Sequence, residues 1–221
     1  MMTNLFSTFD PATSNNMSMN WMSMITIIMF LPLSYWLIPN RINLLMMKLN
    51  SKLNTEFKTL MGKNSKGMTL MMISLFMFIL MNNTMGLLPY IFTSSSHMTF
   101  TLTLALPMWL SLMLYGWINK TNHMFAHMIP TGTPSMLMPF MVIIETMSNI
   151  IRPGALAVRL MANMIAGHLL MSLLGNNLQM NIMMPIIMMI QMMLMMFEMA
   201  VAIIQSYVFS VLMTLYTSEL T

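Results

Sequence analysis

Long apolar stretches alternate with short polar ones along this chain of 221 residues. The runs over 17–38, 68–88 and 98–118 each hold about 20 residues, enough for a helix to cross about 30 Å of hydrocarbon. Pro32 predicts a kink in the first run. Trp21, Tyr35 and Trp36 sit near its ends, where aromatic rings anchor at the membrane–water boundary. The runs over 139–175 and 182–216 are longer, about 52–55 Å as helix, against about 30 Å of hydrocarbon. Pro153-Gly154 could split the first of these, but neither piece is a comfortable span. Both runs are therefore expected as long, steeply inclined helices joined by a hairpin at 175–181.

The stretch over 41–60 follows a different pattern. Ile42, Leu45, Met46, Leu49, Leu53, Phe57 and Leu60 recur at helical spacing, with Arg41, Lys48, Lys52, Glu56 and Lys58 between them. This predicts an amphipathic helix lying along the membrane surface. Lys63 and Lys66 mark a basic turn after it. Residues 1–16 are polar and turn-rich and are expected as a mobile terminal arm. The Ser-rich stretch 91–97 and the Pro-bounded stretch 119–135 are expected as loops, with His97, His123 and His127 as surface histidines rather than metal or haem ligands. Asn82 and Asn83, near the end of the second span, are expected to cap that helix end rather than line a pore. The fold class is an all-α membrane protein in one membrane domain. It has about five membrane-embedded helices plus one amphipathic surface helix, the last two membrane helices long and steeply tilted.

Composition sharpens this picture. The chain is 57% hydrophobic and 6% charged, with a mean hydropathy of +0.74, which excludes an ordinary soluble domain. It has no cysteine, which excludes disulfides and thiolate metal sites. Methionine supplies 39 residues, more than packing calls for, and points to codon usage in a mitochondrial genetic code. The N-terminus lacks the pattern of a transit or signal peptide, which fits synthesis inside the organelle. No GxxxxGK[ST] phosphate loop occurs, so the isolated chain is not expected to be an enzyme that hydrolyses nucleotide. No cofactor and no nucleic-acid partner is expected.

Charge placement gives the orientation. Six of the nine basic residues (Arg41, Lys48, Lys52, Lys58, Lys63 and Lys66) lie between the first two spans. The positive-inside rule puts that segment on the side of synthesis, here the matrix. Counting crossings leaves the N-terminus towards the intermembrane space and the C-terminus towards the matrix.

The chemistry concentrates in 139–175, where Glu145, Arg152, Arg159 and His168 interrupt an apolar run. Ionised groups at membrane depth cost several kcal/mol each, about 2.5–3.5 on insertion scales, so they mark function. At 100° per residue, with Glu145 at zero, Ser148 falls at about −60°, Arg152 at about −20°, Arg159 at about −40° and Asn163 at about 0°. These form one polar stripe. His168 falls at about 140°, on another face and about 35 Å further along the axis. On the last run Gln191, Glu198 and Gln205 are spaced by seven and share one face.

The stretch ALAVRLMANM, Ala155 to Met164, resembles the signature of subunit a of F-type ATP synthases. So do AGHLL (Ala166 to Leu170), FEMAVAIIQSYVF (Phe197 to Phe209), NNTMGLLPY (Asn82 to Tyr90) and LFSTFDP (Leu5 to Pro11), which together span most of the chain. The resemblance implies two long helices wrapped round a rotating ring of c-subunit proteolipids, in the mitochondrial inner membrane. Other membrane and peripheral-stalk subunits and the lipid bilayer are the further implied partners. Protons would enter past His168 and Glu198, pass to a ring carboxylate, and leave near Glu145. Arg159 would separate the two half-channels, Asn163 and Gln205 would position water or the arginine, and Ser148 belongs to the same polar stripe. Arg152 would serve the exit path or bind lipid headgroups. Bacterial relatives usually carry Glu where this chain has His168 and His where it has Glu198; the order here resembles the mitochondrial form. A secondary transporter or channel with an intramembrane arginine is the alternative, but such folds show internal repeats or broken helices, and no repeat is found. A haem-bearing redox subunit lacks a second histidine within a span.

Overall fold

A computed structural model of the chain describes residues 5–32, 37–62, 67–129, 132–176 and 183–220. Lys63 and Lys66 of the basic turn, Tyr35 and Trp36, and most of the 175–181 hairpin lie outside the described residues. The described residues fold into a short apolar helix α1 (Met19–Phe30), the helix α2 (Arg41–Met61) and the spans α3 (Met68–Gly86) and α4 (Met98–Asn119). A short helix α5 (Thr121–Met128) and the long helices α6 (Met138–Asn176) and α7 (Met184–Leu220) follow. Four of these, α3, α4, α6 and α7, are long and apolar enough to cross a membrane.

Several expectations change. The first span, expected over 17–38, is the shorter α1, broken into α and 3-10 turns. Pro32 bars the α conformation at the residue before it, and Leu31 is extended (φ −67°, ψ 126°). Part of the 119–135 loop is helix α5. As expected, Pro153 does not divide α6, which runs unbroken for 39 residues, about 58 Å. Neighbouring helices take up what a proline removes from a membrane helix, and Pro153 is buried against them. α7 runs for 37 residues.

α2 is more than a surface helix. Its N-terminal half leaves Ile42, Leu45 and Leu49 exposed, as an interfacial helix does, but Phe57 and Met61 are buried in the main core. There they meet Met72, Leu75 and Ile79 of α3, Ala105, Met108 and Leu112 of α4, Leu156, Ala157 and Leu160 of α6, and Phe209 and Met213 of α7. Gly62 stops α2 with φ +71°, a conformation that favours glycine, its N–H donating to the Lys58 carbonyl at 3.1 Å.

α7 enters this core through small polar residues. Ser206, Ser210, Thr214 and Thr217 are buried along one stripe, and each hydroxyl donates to a carbonyl three residues back on its own helix, at 2.7–2.8 Å. The hydroxyls are thus satisfied without a neighbour, and their small volume lets helices approach closely. The other half of α7 stays open: Met189, Met193, Met196 and Phe197 are each about two-thirds or more exposed.

The described part of the N-terminal arm is folded, with its 3-10 helix Leu5–Phe9 packed against α6. Asn20 Nδ2 donates to the Asp10 carbonyl at 3.2 Å, the Ala12 N–H to Asp10 Oδ1 at 3.0 Å, and the Thr13 hydroxyl to the Met17 carbonyl at 3.0 Å. Trp21 packs against Phe92 and His97 at ring separations of 5.5 and 5.1 Å. His97 is therefore part of an aromatic cluster that ties α1 to the α3–α4 connection, with Nε2 buried, rather than a free surface histidine. His123 and His127 do stay exposed.

Candidate functional site

The titratable groups of α6 and α7 sort into two clusters at opposite ends of the antiparallel helices, with Arg159 between them. One cluster lies where α3 and α6 end and α7 begins. Glu198 is 92% buried, and neither carboxylate oxygen has a hydrogen-bond partner among the described residues. Its carboxyl lies on Gly167: a Cβ there would stand 2.7 Å from Glu198 Cδ and 2.8 Å from Oε1, so any larger residue would push the carboxyl aside. His168, the next residue, is half-buried, with Nε2 unpartnered among the described residues. The Gly86 backbone, at the end of α3, hydrogen-bonds its imidazole, and the edge of the Phe9 ring meets it at 6.2 Å, close to perpendicular. A cavity of ≈ 790 Å³ opens beside His168, walled by the N-terminal arm, residues 87–93, and Ser172 and Gln191.

Asn82 and Asn83 lie close to this end, but buried rather than capping a helix end. Asn82 Nδ2 donates to the Phe78 carbonyl at 2.8 Å, and its Oδ1 accepts from the Ser94 hydroxyl at 3.1 Å. Asn83 is buried with its amide unpartnered among the described residues.

The opposite cluster centres on Arg152. Its guanidinium donates to Glu219 Oε2 at 2.8 Å, pairs with Glu145 at 3.5 Å, and lies over the Tyr216 ring at 5.2 Å. The Glu145–Arg152 contact is the predicted polar stripe made real: residues seven apart return to one face. Glu219 was not anticipated from sequence. His123, His127 and Asn149 line a small cavity beside it. Ser148 donates to the Glu145 carbonyl on its own helix at 2.9 Å.

Arg159 behaves differently from every other charge on α6. It is exposed, flanked on the same side by exposed Ala155, Ala162 and Ala166, and its side chain makes no hydrogen bond or ion pair among the described residues. Asn163 and Gln205 are half-buried and likewise make no side-chain hydrogen bond. About 13 Å of helix separates Arg159 from His168 and about 10 Å separates it from Arg152. Among the described residues no group of histidines and carboxylates is arranged to hold a metal ion.

These features define a class: a multi-pass membrane subunit with an uncompensated arginine on an open face and separate ionisable clusters on either side of it. The comparisons with known proteins make the assignment particular. The model of the ATP synthase A chain family matches residues 17–218. The chain is 61% identical to ATP synthase subunit a of Locusta migratoria, and 59% identical to those of Anopheles gambiae and Drosophila melanogaster, over 99% of both chains in each case. The chain belongs to the ATP synthase A chain family.

Proposed function

We propose that the chain translocates protons through two offset half-channels against a rotating ring of proteolipids, so that proton flow drives the rotation that powers ATP synthesis. The observation that carries this reading is the open face around Arg159. An unpaired guanidinium on a lipid-depth surface is costly, and a partner carboxylate brought to that face offsets the cost. Arginine stays charged at any physiological pH, so it favours the ionised form of each carboxylate that passes and blocks direct proton transfer between the clusters.

Protons enter through the cavity at His168 and pass to Glu198, two groups that can take up and give back a proton. They load a ring carboxylate, travel with the ring, and leave past Glu145 on the other side of Arg159. Asn163 and Gln205, whose side chains make no hydrogen bond among the described residues, would position water or the arginine once a partner closes that face. Arg152 holds the exit end in place. The chain itself is non-catalytic and works only within the complex, beside the proteolipid ring, the other membrane subunits and the peripheral stalk. We place it in the mitochondrial inner membrane, with α2 towards the matrix and the arm towards the intermembrane space.

Disulfide trapping in assembled complex tests the partner face. With cysteines at Ala162 and on the outer helix of the proteolipid, oxidation should link the two chains and stop ATP synthesis, and reductant should restore it. No link to the proteolipid from any of Ala155, Ala162 and Ala166 would overturn the reading. A cysteine at Lys52 should react with an impermeant reagent only from the matrix side; labelling from the other side would reverse the orientation.

A further inference from the structure

We propose that the N-terminal arm is the outer wall of the proton inlet and that Phe9 is a positioning residue that sets the orientation of the His168 imidazole. This rests on the reading of His168 as a relay group. Three observations converge on it. Ser7, Thr8, Phe9 and Asp10 line the same ≈ 790 Å³ cavity as His168 and Gln191, so the arm closes the space through which a proton reaches the imidazole. The Phe9 ring meets that imidazole edge-on at 6.2 Å and 89°. Phe9 closes a 3-10 helix, Leu5–Phe9, that packs on α6, and Asn20 of α1 donates to the carbonyl of the next residue, Asp10, so Phe9 is held rather than merely nearby.

A relay imidazole has to accept a proton on one side and deliver it on the other, which demands one orientation about two free side-chain torsions. Among the described residues His168 is held by the Gly86 backbone on one side and the perpendicular Phe9 ring on another, with Nε2 unpartnered. Edge-to-face aromatic pairs have a preferred geometry, so removing the ring frees the imidazole to turn. The charged and titratable groups around it are Glu198 of α7, seated on the neighbouring Gly167, Asp10 of the arm, and Tyr90, which lines the same cavity; Gln191 is neutral.

The test is acid-driven ATP synthesis in vesicles holding assembled complex, per mole of complex, with pH varied separately on each side. Phe9→Leu keeps an apolar side chain but loses the flat ring. It should slow synthesis roughly tenfold, as misplacement of a reacting group does. It should alter the pH dependence on the inlet side and leave that on the opposite side unchanged. Phe9→Tyr keeps the ring edge and should restore both. His168→Ala in parallel separates the two readings. If His168→Ala loses flux while Phe9→Leu matches wild type in rate and pH profile, the positioning role is overturned and the relay stands. If His168→Ala itself runs near the wild-type rate, the relay reading fails. A second measurement leaves the ring alone. The chain has no cysteine, so Ala12→Cys offers a single target in the arm. An impermeant thiol reagent on the inlet side should slow synthesis in step with labelling, and labelling without slowing would overturn the wall.

Discussion

Arg152 and Arg159 lie two turns apart on the same side of α6, yet their surroundings have nothing in common. Arg152 has two carboxylates and an aromatic ring around it. Arg159 has an open face of alanines and no partner among the described residues. α7 repeats the contrast: Glu219 is paired and partly exposed, whereas Glu198 is buried with both oxygens unpartnered. Each long helix thus carries charge consumed by its own fold, Glu145 and Arg152 on α6 and Glu219 on α7, and one charge left available. Charge inside a membrane helix is costly in either case, but Arg159 and Glu198 carry that cost with no compensating partner among the described residues.

The largest effect is expected where the contrast is sharpest. Arg159→Ala should abolish ATP synthesis in reconstituted vesicles, because ring carboxylates are no longer driven to release their protons, and should open a passive leak measurable with a pH dye. Arg159→Lys keeps a charge but lacks the planar fork and loses its proton readily in low dielectric. It should also abolish coupled synthesis, with less leak than alanine. Near wild-type synthesis in Arg159→Ala would make Arg159 as structural as Arg152, and the comparison would collapse.

Next come His168 and Glu198. Loss of a proton-transfer group costs roughly 10²–10⁴-fold in rate. His168→Ala or Glu198→Gln alone should slow proton flux within that range. The double variant should cost far less than the product of the singles, as for residues that act as a unit. Multiplicative losses would assign them to separate paths.

Much of this was legible in the sequence, for identifiable reasons. Long apolar runs mark α3, α4, α6 and α7 within a few residues, because a bilayer leaves only apolar helical stretches across it; its thickness sets the length of α3 and α4 but not of α6 and α7. The Glu145–Arg152 contact follows from helical periodicity alone. Periodicity says nothing about how two helices are offset against each other. Equal rise from a hairpin midpoint at 178 puts Arg152 opposite about residue 204, some four turns short of its actual partner Glu219. Tilt and crossing set that offset, and no local pattern encodes them. The docked arm was hidden for a similar reason. Its stretch reads as polar and turn-rich, and the contacts that fix it, from Asn20 and His168, come from elsewhere in the chain.

The paired charges should give a smaller and different signature. Arg152→Gln and Glu219→Gln should each lower stability by about 1 kcal/mol, since partly exposed ion pairs contribute little. The yield of assembled complex should fall, while synthesis per assembled complex stays close to wild type. Exchanging the two, Arg152→Glu with Glu219→Arg, should recover part of the yield. A tenfold loss of turnover with normal assembly would move Arg152 into the proton path beside Arg159.

The smallest expected effect lies where α2 meets α7. The Tyr207 hydroxyl donates to Glu56 Oε2 at 3.4 Å, an exposed and long hydrogen bond between the surface helix and the middle of α7. Next to it Phe57 is wholly buried, one position along α2. If burial holds α2 against the bundle and polar contacts only trim its position, the two substitutions must differ widely. Tyr207→Phe should cost about 0.5 kcal/mol, near the lower end for a single hydrogen bond. Phe57→Ala should cost about 3–5 kcal/mol through the lost transfer energy and the cavity left behind. Thermal stability of the complex in mild detergent, read through retention of this chain, measures both. Equal losses would mean that the Glu56–Tyr207 contact anchors α2 as firmly as its apolar core does. Glu56 would then stand with Glu219, among the charges that hold the fold together.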